Sequence, residues 1–262
     1  MAKKREPAFA SEAAMCAAFI EWAKDAPGGQ EWTAYAETAG WDILMVHATG
    51  LQIGIQAKMA FNMKVLDQAV PDSWLGWVGN GPDYRAVLVP ERDSVALKIC
   101  ACLGLIYIHA DRRGWRGDPD FALGLNVDGD SFSRCHDWNP AQRCKLPAYV
   151  PDVPAGASGP VQLTKWKIGA LRILARIDAR GFVTKADFKE IRIDSRAWFG
   201  PAQWVVPAEG RAGAYVRGSA GFDKQHPKVF AEILAEEVEA ARTASQPEPV
   251  PSPKPQGQAT LC

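Results

Sequence analysis

At 262 residues, with 47% hydrophobic and 23% charged side chains, the chain has enough apolar matter for one large domain or two small ones. Its 30 basic and 30 acidic residues cancel, so bulk charge names no partner. No apolar run approaches the ~20 residues that span a bilayer. The basic start, MAKKREPAFASEAA, lacks the apolar core of a secretory signal, and the six cysteines are spaced too irregularly for a disulfide framework. These features predict a cytoplasmic protein with reduced thiols and no membrane partner.

Residues 1–10 read as a frayed basic lead-in. Ser11 caps a helix running to about Lys24, with Glu12 in its first turn and Ala14, Ala17, Ala18 and Trp22 as its apolar stripe. Pro27-Gly28-Gly29 ends it. Glu31–Glu37 alternates as a strand. Asp42–Lys58, DILMVHATGLQIGIQAK, holds two apolar runs about an Ala48-Thr49-Gly50 turn and reads as a β-hairpin. From Asn62, the spacing of Val65, Leu66, Ala69 and Val70 predicts a short helix carrying Gln68. Trp74–Pro82 is Gly-rich loop. Tyr84–Val89 is a strand, Asp93 or Ser94 caps the helix SVALKICACLGL, and Ile106–His109 is a further strand.

Gln56 and Lys58 are two apart, so as strand residues they leave the sheet on one face, and Asp42 can sit across from them. An acid opening one strand, a hairpin turn and [D/E/Q]-x-K closing the next resembles the PD-(D/E)XK nuclease superfamily. The Q-x-K form is similar to its Mrr-type branch. The resemblance covers roughly the N-terminal half, and the element order matches the superfamily's αβββαβ core with one further helix and strand. It implies a restriction-endonuclease-like mixed sheet flanked by helices over 1–112. It also implies Mg²⁺ (or Mn²⁺) held by Asp42, Gln56 and the Ala57 backbone carbonyl, with Glu12 as a further acid beside the metal. Lys58 would orient the attacking water and neutralise developing charge. Gln56 removes one negative charge relative to a carboxylate, so Glu12 would have to compensate. Glu37, near Asp42, is a rival for the Glu12 role. The bland alternatives are a turn-forming Asp42, an exposed strand end at Gln56–Lys58 and a Glu12 that only complements the helix dipole. Asn62, Lys64 and Gln68 stand between DNA contacts and ordinary solvated positions.

Residues 113–160 are irregular and read as a connector, with LPAYVPDVPAGASGP as the linker. Cys135, His136 and Cys144 match no strong zinc spacing and read as free thiols. Thr164 caps KWKIGALRILARIDAR, which Gly181 stops. Thr184 caps KADFKEI, and a short third segment, SRAWF, is stopped by Gly200-Pro201. Trp204–Val206 and Tyr215–Val216 flank AEGRAG as a hairpin. Three helices and a two-stranded wing resemble the winged helix-turn-helix fold, predicting a small α+β domain over 161–243. Residues 160–218 hold 11 basic and 5 acidic side chains, a footprint for phosphate. Lys185, Lys189, Arg192, Arg196 and Arg211 are its candidate DNA contacts. Trp198, Phe199 and Trp204 read as core. HPKVFAEILAEEVEAAR is an amphipathic helix, and 244–262 is a disordered Pro-rich tail. Walker, G-x-S-x-G and H-E-x-x-H motifs are missing from the sequence. The expectation is a two-domain, Mg²⁺-dependent DNA endonuclease, for which the resemblance implies a homodimer. The alternatives are a catalytically inactive nuclease-fold DNA-binding or regulatory protein, and an interaction protein acting through its C-terminal helix and tail.

Overall fold

The computed structural model describes residues 8–70, 79–111, 120–127, 132–156 and 162–245. Outside them lie the first seven residues of the lead-in, most of the Gly-rich loop expected over 74–82, the end of the expected linker and the Pro-rich tail from 246. The described chain forms two units. Met1–Lys167 with Lys224–Val229 make the first, and Ile168–Asp223 with the residues from Phe230 make the second.

The first unit is mixed α/β. Helix α1 (Glu12–Asp25) starts where the Ser11 hydroxyl accepts the Ala14 N–H at 3.1 Å. Its buried face is Met15, Cys16, Phe19 and Ala23, one position on from the expected alanine stripe. The larger side chains go inward because they bury more apolar area. Strands β1 (Trp32–Thr38), β2 (Trp41–His47) and β3 (Gln52–Ala57) follow as an antiparallel meander. Helix α2 (Met63–Ala69), capped by Asn62, comes next. Then come β4 (Asn80–Gly81), β5 (Tyr84–Val89), α3 (Ser94–Cys102, capped by Asp93), β6 (Ile106–Asp111), β7 (Asp120–Phe121) and β8 (Gln142–Arg143). The main sheet runs β1-β2-β3-β5-β6-β7, with β3, β5 and β6 parallel. Parallel neighbours need crossovers, and α2 and α3 lie in them. All six residues of β5 are buried, as a central strand covered on both faces requires.

Two cores result. On one face α1 packs on Ile43, Met45, Ile53, Ile55, Leu88 and Ile108. On the other, α2 and α3 bring Val65, Leu66, Ala96 and Cys100 onto Trp41, Leu44 and Val87. The segment read as a connector is built into this unit. Phe121, Leu125, Phe132 and Val153 enter the α1 core. The Gln52 side chain holds the Cys144 backbone by both its N–H (2.8 Å) and its carbonyl (3.0 Å). The Arg85 guanidinium sits 5.5 Å from the Trp41 ring centre and 5.2 Å from that of Trp138. Side-chain clamps replace ladders there, which is why no periodicity announces them.

The second unit has α4 (Lys165–Arg180), β9 (Val183–Thr184), α5 (Lys185–Ile191), β10 (Val205–Pro207), β11 (Ala214–Arg217) and α6 (Pro227–Ser245). Its sheet runs β10-β11-β9. Asp187 reaches back to the Thr184 N–H at 2.8 Å, closing the start of α5. The third helix expected at SRAWF does not form. Asp194 accepts the Arg196 N–H at 2.9 Å, and one turn, Trp198 N–H to Ser195 carbonyl, follows. That turn delivers the wholly buried Trp198 ring among Phe188, Trp204 and Phe222, and this burial outweighs helix extension. Arg176, 8% exposed, pairs with Glu237 (2.9 Å), Asp187 (3.1 Å) and Glu190 (2.6 Å) and ties α4, α5 and α6 together. Among the described residues, no helix is long and apolar enough to cross a membrane.

Arg176→Ala removes the closest partner of the buried Glu237 and leaves Asp187 to Arg180 alone, and denaturant unfolding should register a loss of up to about 3–5 kcal/mol. A Cβ on Gly54 would overlap the Trp41 ring and crowd Pro82. Gly54→Ala should therefore cost about 1–3 kcal/mol and should shift the tryptophan fluorescence of the folded protein.

Candidate active site

The candidate site forms where the sheet breaks its own alternation. The β1–β2 ladder runs from Trp32↔His47 to Ala36↔Ile43, skips the Glu37–Asp42 rung and closes at Thr38↔Trp41. Glu37 has φ 48° at this point, and the turn behind it holds Ala39 at φ 54° and Gly40 at φ 85°. A regular strand sends successive side chains to opposite faces. Here Trp41 and Leu44, three apart, both enter the α2–α3 core, while Ile43 faces α1. The slip leaves the Asp42 carboxylate on the α1 side, beside Ile43.

There Asp42 accepts the Ala57 N–H at 2.7 Å through Oδ2. Lys58, just past the end of β3, donates from Nζ to Glu12 Oε2 at 2.8 Å, the two side chains being 18% and 29% exposed. Glu37 accepts the Gly156 N–H at 2.7 Å. Electrostatics ties these groups together. The Cys16 thiol is pushed up to about 12, chiefly by burial, with Asp42, Glu12 and Glu37 adding to it and Lys58 opposing. The Asp42 carboxyl is also raised above its usual range. Burial is the main cause and Glu12 adds to it, while the Ala57 N–H and the Lys58 ammonium oppose. Three carboxylates thus share a half-buried place with one ammonium.

Asp42, Lys58 and Glu12 come together, and Glu37 joins them. Gln56 does not. Ile53, Ile55 and Ala57 face α1, so Gln56 faces away, 3% exposed, with its amide nitrogen on the Gly40 carbonyl at 2.7 Å. The expectation that Gln56 and Lys58 share a face is corrected. Strand β3 stops at Ala57, and Lys58 turns to α1 outside the pleat. Ala57 meets Asp42 through its N–H, where a carbonyl ligand was expected. Gly156 and Cys16 are the members that sequence reasoning missed. Gly156 lies in the segment read as connector, and Cys16 carried no spacing signal. Asn62 caps α2, where its side chain accepts the Val65 N–H at 3.1 Å. Lys64 and Gln68 are exposed on the same helix.

Among the described residues, no three His, Cys, Asp or Glu side chains approach closely enough to cage a metal ion, at this site or around Cys135, His136 and Cys144. Magnesium does not need such a cage. It takes one or two carboxylates and fills its other positions with water and substrate phosphate. Asp42 and Glu12, in a place with more carboxylates than cations, fit that requirement.

All five candidate DNA contacts in the second unit are exposed. Arg211 lies 3.5 Å from the Phe182 ring centre and Lys185 5.9 Å from that of Phe199. Arg196 is forked onto Asp194 at 2.8 Å, and Arg192 ends α5 with φ 61°. Lys189 lies in the last turn of α5. Much of the remaining positive charge is spent internally. Arg172, Arg176, Arg180 and Arg217 all sit in ion pairs.

No protein-family description, curated protein or solved structure matches the chain.

A carboxyl raised in the folded state binds its proton more tightly there than in the unfolded chain. Its ionisation therefore costs stability, and the cost appears as pH rises through the folded-state titration. Asp42→Asn keeps an acceptor for the Ala57 N–H and removes that cost. Its melting temperature should exceed wild type by a few degrees, on the order expected of a single site, at neutral pH. Below about pH 4, where the unfolded-chain carboxyl is also protonated, thermal scans should find the gain gone.

Proposed function

We propose that the chain is a metal-dependent phosphodiester hydrolase acting on DNA, with a restriction-endonuclease-like first unit and a winged-helix-like second unit. The observation that carries this reading is the Lys58–Glu12 pair at 2.8 Å, held beside the Asp42 carboxylate at the end of the β2–β3 ribbon. The element order α1, β1, β2, β3, α2, β5 supports it, since it reproduces αβββαβ apart from the two-residue β4.

Asp42 and Glu12 would hold Mg²⁺ or Mn²⁺, with Glu37 as the nearby third acid. When bound, such an ion polarises a phosphoryl oxygen and lowers the pKa of a bound water. The chain's own groups do the rest. Lys58, one of whose protons Glu12 already takes, has others to give to a phosphoryl oxygen or to the incoming water. The Ala57 N–H fixes the Asp42 carboxylate, so the acid is oriented before substrate arrives. Burial lifts the Asp42 titration, so ionisation of this carboxyl becomes a condition for cation binding at acid pH. In the second unit, the exposed Lys185, Lys189, Arg192 and Arg211 would meet the phosphate backbone.

One observation favours a second reading, a nuclease-fold protein that binds DNA without cutting it. Gln56, the third ligand that the resemblance implies, is turned to Gly40. Incubation of supercoiled plasmid with Mg²⁺ or Mn²⁺ separates the two. The enzyme should nick or linearise it, and Asp42→Ala and Lys58→Ala should each slow this at least about 100-fold. Shifted but uncut plasmid with either cation would establish the second reading, and cleavage that survives both substitutions would refute the assigned site.

A further inference from the structure

Next to the candidate site lies a cavity of about 710 Å³. It begins one residue past Lys58, with Met59, Ala60 and Phe61 on its wall. Val89 to Ser94, where the chain leaves β5, and Tyr107 of β6 complete most of the rest. Ala8, four residues before Glu12, lines it as well. The cavity thus lies at the C-terminal ends of the parallel strands, where open α/β sheets bind ligands. We propose that it receives one unpaired nucleobase of a DNA strand whose backbone crosses Glu12, Asp42 and Lys58. The strand's path rests on the phosphodiesterase reading; the chemistry of the cavity does not.

Three features select a base. The size suits a small organic group and a single nucleotide rather than a length of duplex. One side of the wall is aromatic and apolar, in a lining that is otherwise polar. The half-buried Phe61 ring stands edge-on to Tyr107, with centres 6.3 Å apart, and Met59, Val89 and Pro90 add apolar surface. Aromatic side chains hold bases by stacking, with little regard to base identity. The rim is polar but not anion-seeking. Glu91 and Asp93 outnumber Arg92, and the first free amides of α3 are already taken, Val95 and Ala96 donating to Asp93 Oδ1 at 2.8 and 3.2 Å. A phosphate would meet carboxylates there, whereas the N–H edge of a base would meet acceptors. The rim is also fixed in advance. The Tyr107 hydroxyl donates to the Glu91 carbonyl at 3.0 Å and accepts the Asp93 N–H at 2.9 Å.

A duplex would have to extrude a nucleotide to fill this cavity, at the expense of stacking and pairing. A single strand would not. Binding of end-labelled oligonucleotides, followed by fluorescence anisotropy in Ca²⁺, tests the proposal. The single strand should bind more tightly than the blunt duplex of the same sequence. On an oligonucleotide just long enough to fill the site, so that it binds in one register, an abasic position walked along the strand should find one site where wild-type affinity falls about 5- to 150-fold, the worth of one stacked base. Phe61→Ala should bind the intact strand as weakly as wild type binds that abasic strand, with no further loss on the abasic strand, and Phe61→Tyr should restore the difference. A flat abasic profile on the wild-type protein, or a duplex bound as tightly as the strand, overturns the proposal, and neither result depends on a variant folding. The two readings fail separately. If only the base site is wrong, cleavage still requires Lys58 while Phe61→Ala leaves binding and cutting unchanged. If only the hydrolase reading is wrong, nothing is cut, yet the abasic-sensitive, Phe61-dependent binding remains.

Discussion

The first unit depends on one hydrogen bond, from the Ala57 N–H to the Asp42 carboxylate at 2.7 Å. Ala57 is the last residue of a central strand and is fully buried. On its β5 side, the main-chain pairing continues, since the Lys58 N–H reaches the Leu88 carbonyl at 3.0 Å. On its β2 side, the main-chain register ends at Ile43↔Ile55. A buried N–H left there without an acceptor would forfeit the strength of a hydrogen bond. Asp42 supplies the acceptor from its side chain, and it can do so because β2 slips at that residue. The positive φ at Glu37 is the local cost of the slip.

The same slip gathers charge. It leaves Glu37 and Asp42 on the face where α1 offers Glu12, and Lys58 bends out of the pleat to meet them. Burial first, and the neighbouring acids second, raise the proton affinity of the Asp42 carboxyl and the Cys16 thiol here. Strained backbone and crowded carboxylates are tolerated where a cation or a reacting group later offsets them, and that is the physical sense in which this corner resembles a working site.

Regular packing was the part of the fold that sequence could reveal. Tyr84–Val89 emerges with the bounds read from its apolar run, because a strand buried on both faces has no polar position to blur them. Ser11, Asp93 and Thr184 announce their helices because capping is a local interaction that needs no tertiary partner. Of the site, Asp42, Lys58 and Glu12 were legible. The position of Gln56 was not, because period-two counting assumes a strand that continues to Lys58 and this one stops at Ala57. Half of the α1 stripe was read correctly, Ala18 and Trp22 packing against the core, and Ala14 and Ala17 are exposed because alanine is equally at home on either face of a helix. The segment after β6 and the turn at Trp198 were illegible for a shared reason. Both are held by long-range burial, of Phe121, Leu125 and Phe132 in one case and of an indole in the other, and neither leaves a period in the chain.

The division of labour between the units follows from what the second one lacks. A recognition helix reads bases by presenting a continuous face to the major groove. Directly after α5, the chain spends Asp194, Ser195 and Trp198 on a turn and a buried ring, so the third helix of the winged-helix pattern does not form there. Four of its arginines are consumed in ion pairs that hold α4, α5, α6 and β11 together. The exposed cations that remain, Lys185 and Lys189 on the short α5 with Arg192 and Arg211 beyond it, are few and scattered. On the proposed reading, the second unit supplies affinity that is indifferent to sequence and sensitive to salt. A preference for unpaired over paired strands then has to arise where a base can be taken out of its stack and held against fixed groups. Within the first unit, the cavity beside Lys58, with its rim tied down by the Tyr107 hydroxyl, is the feature that meets this demand.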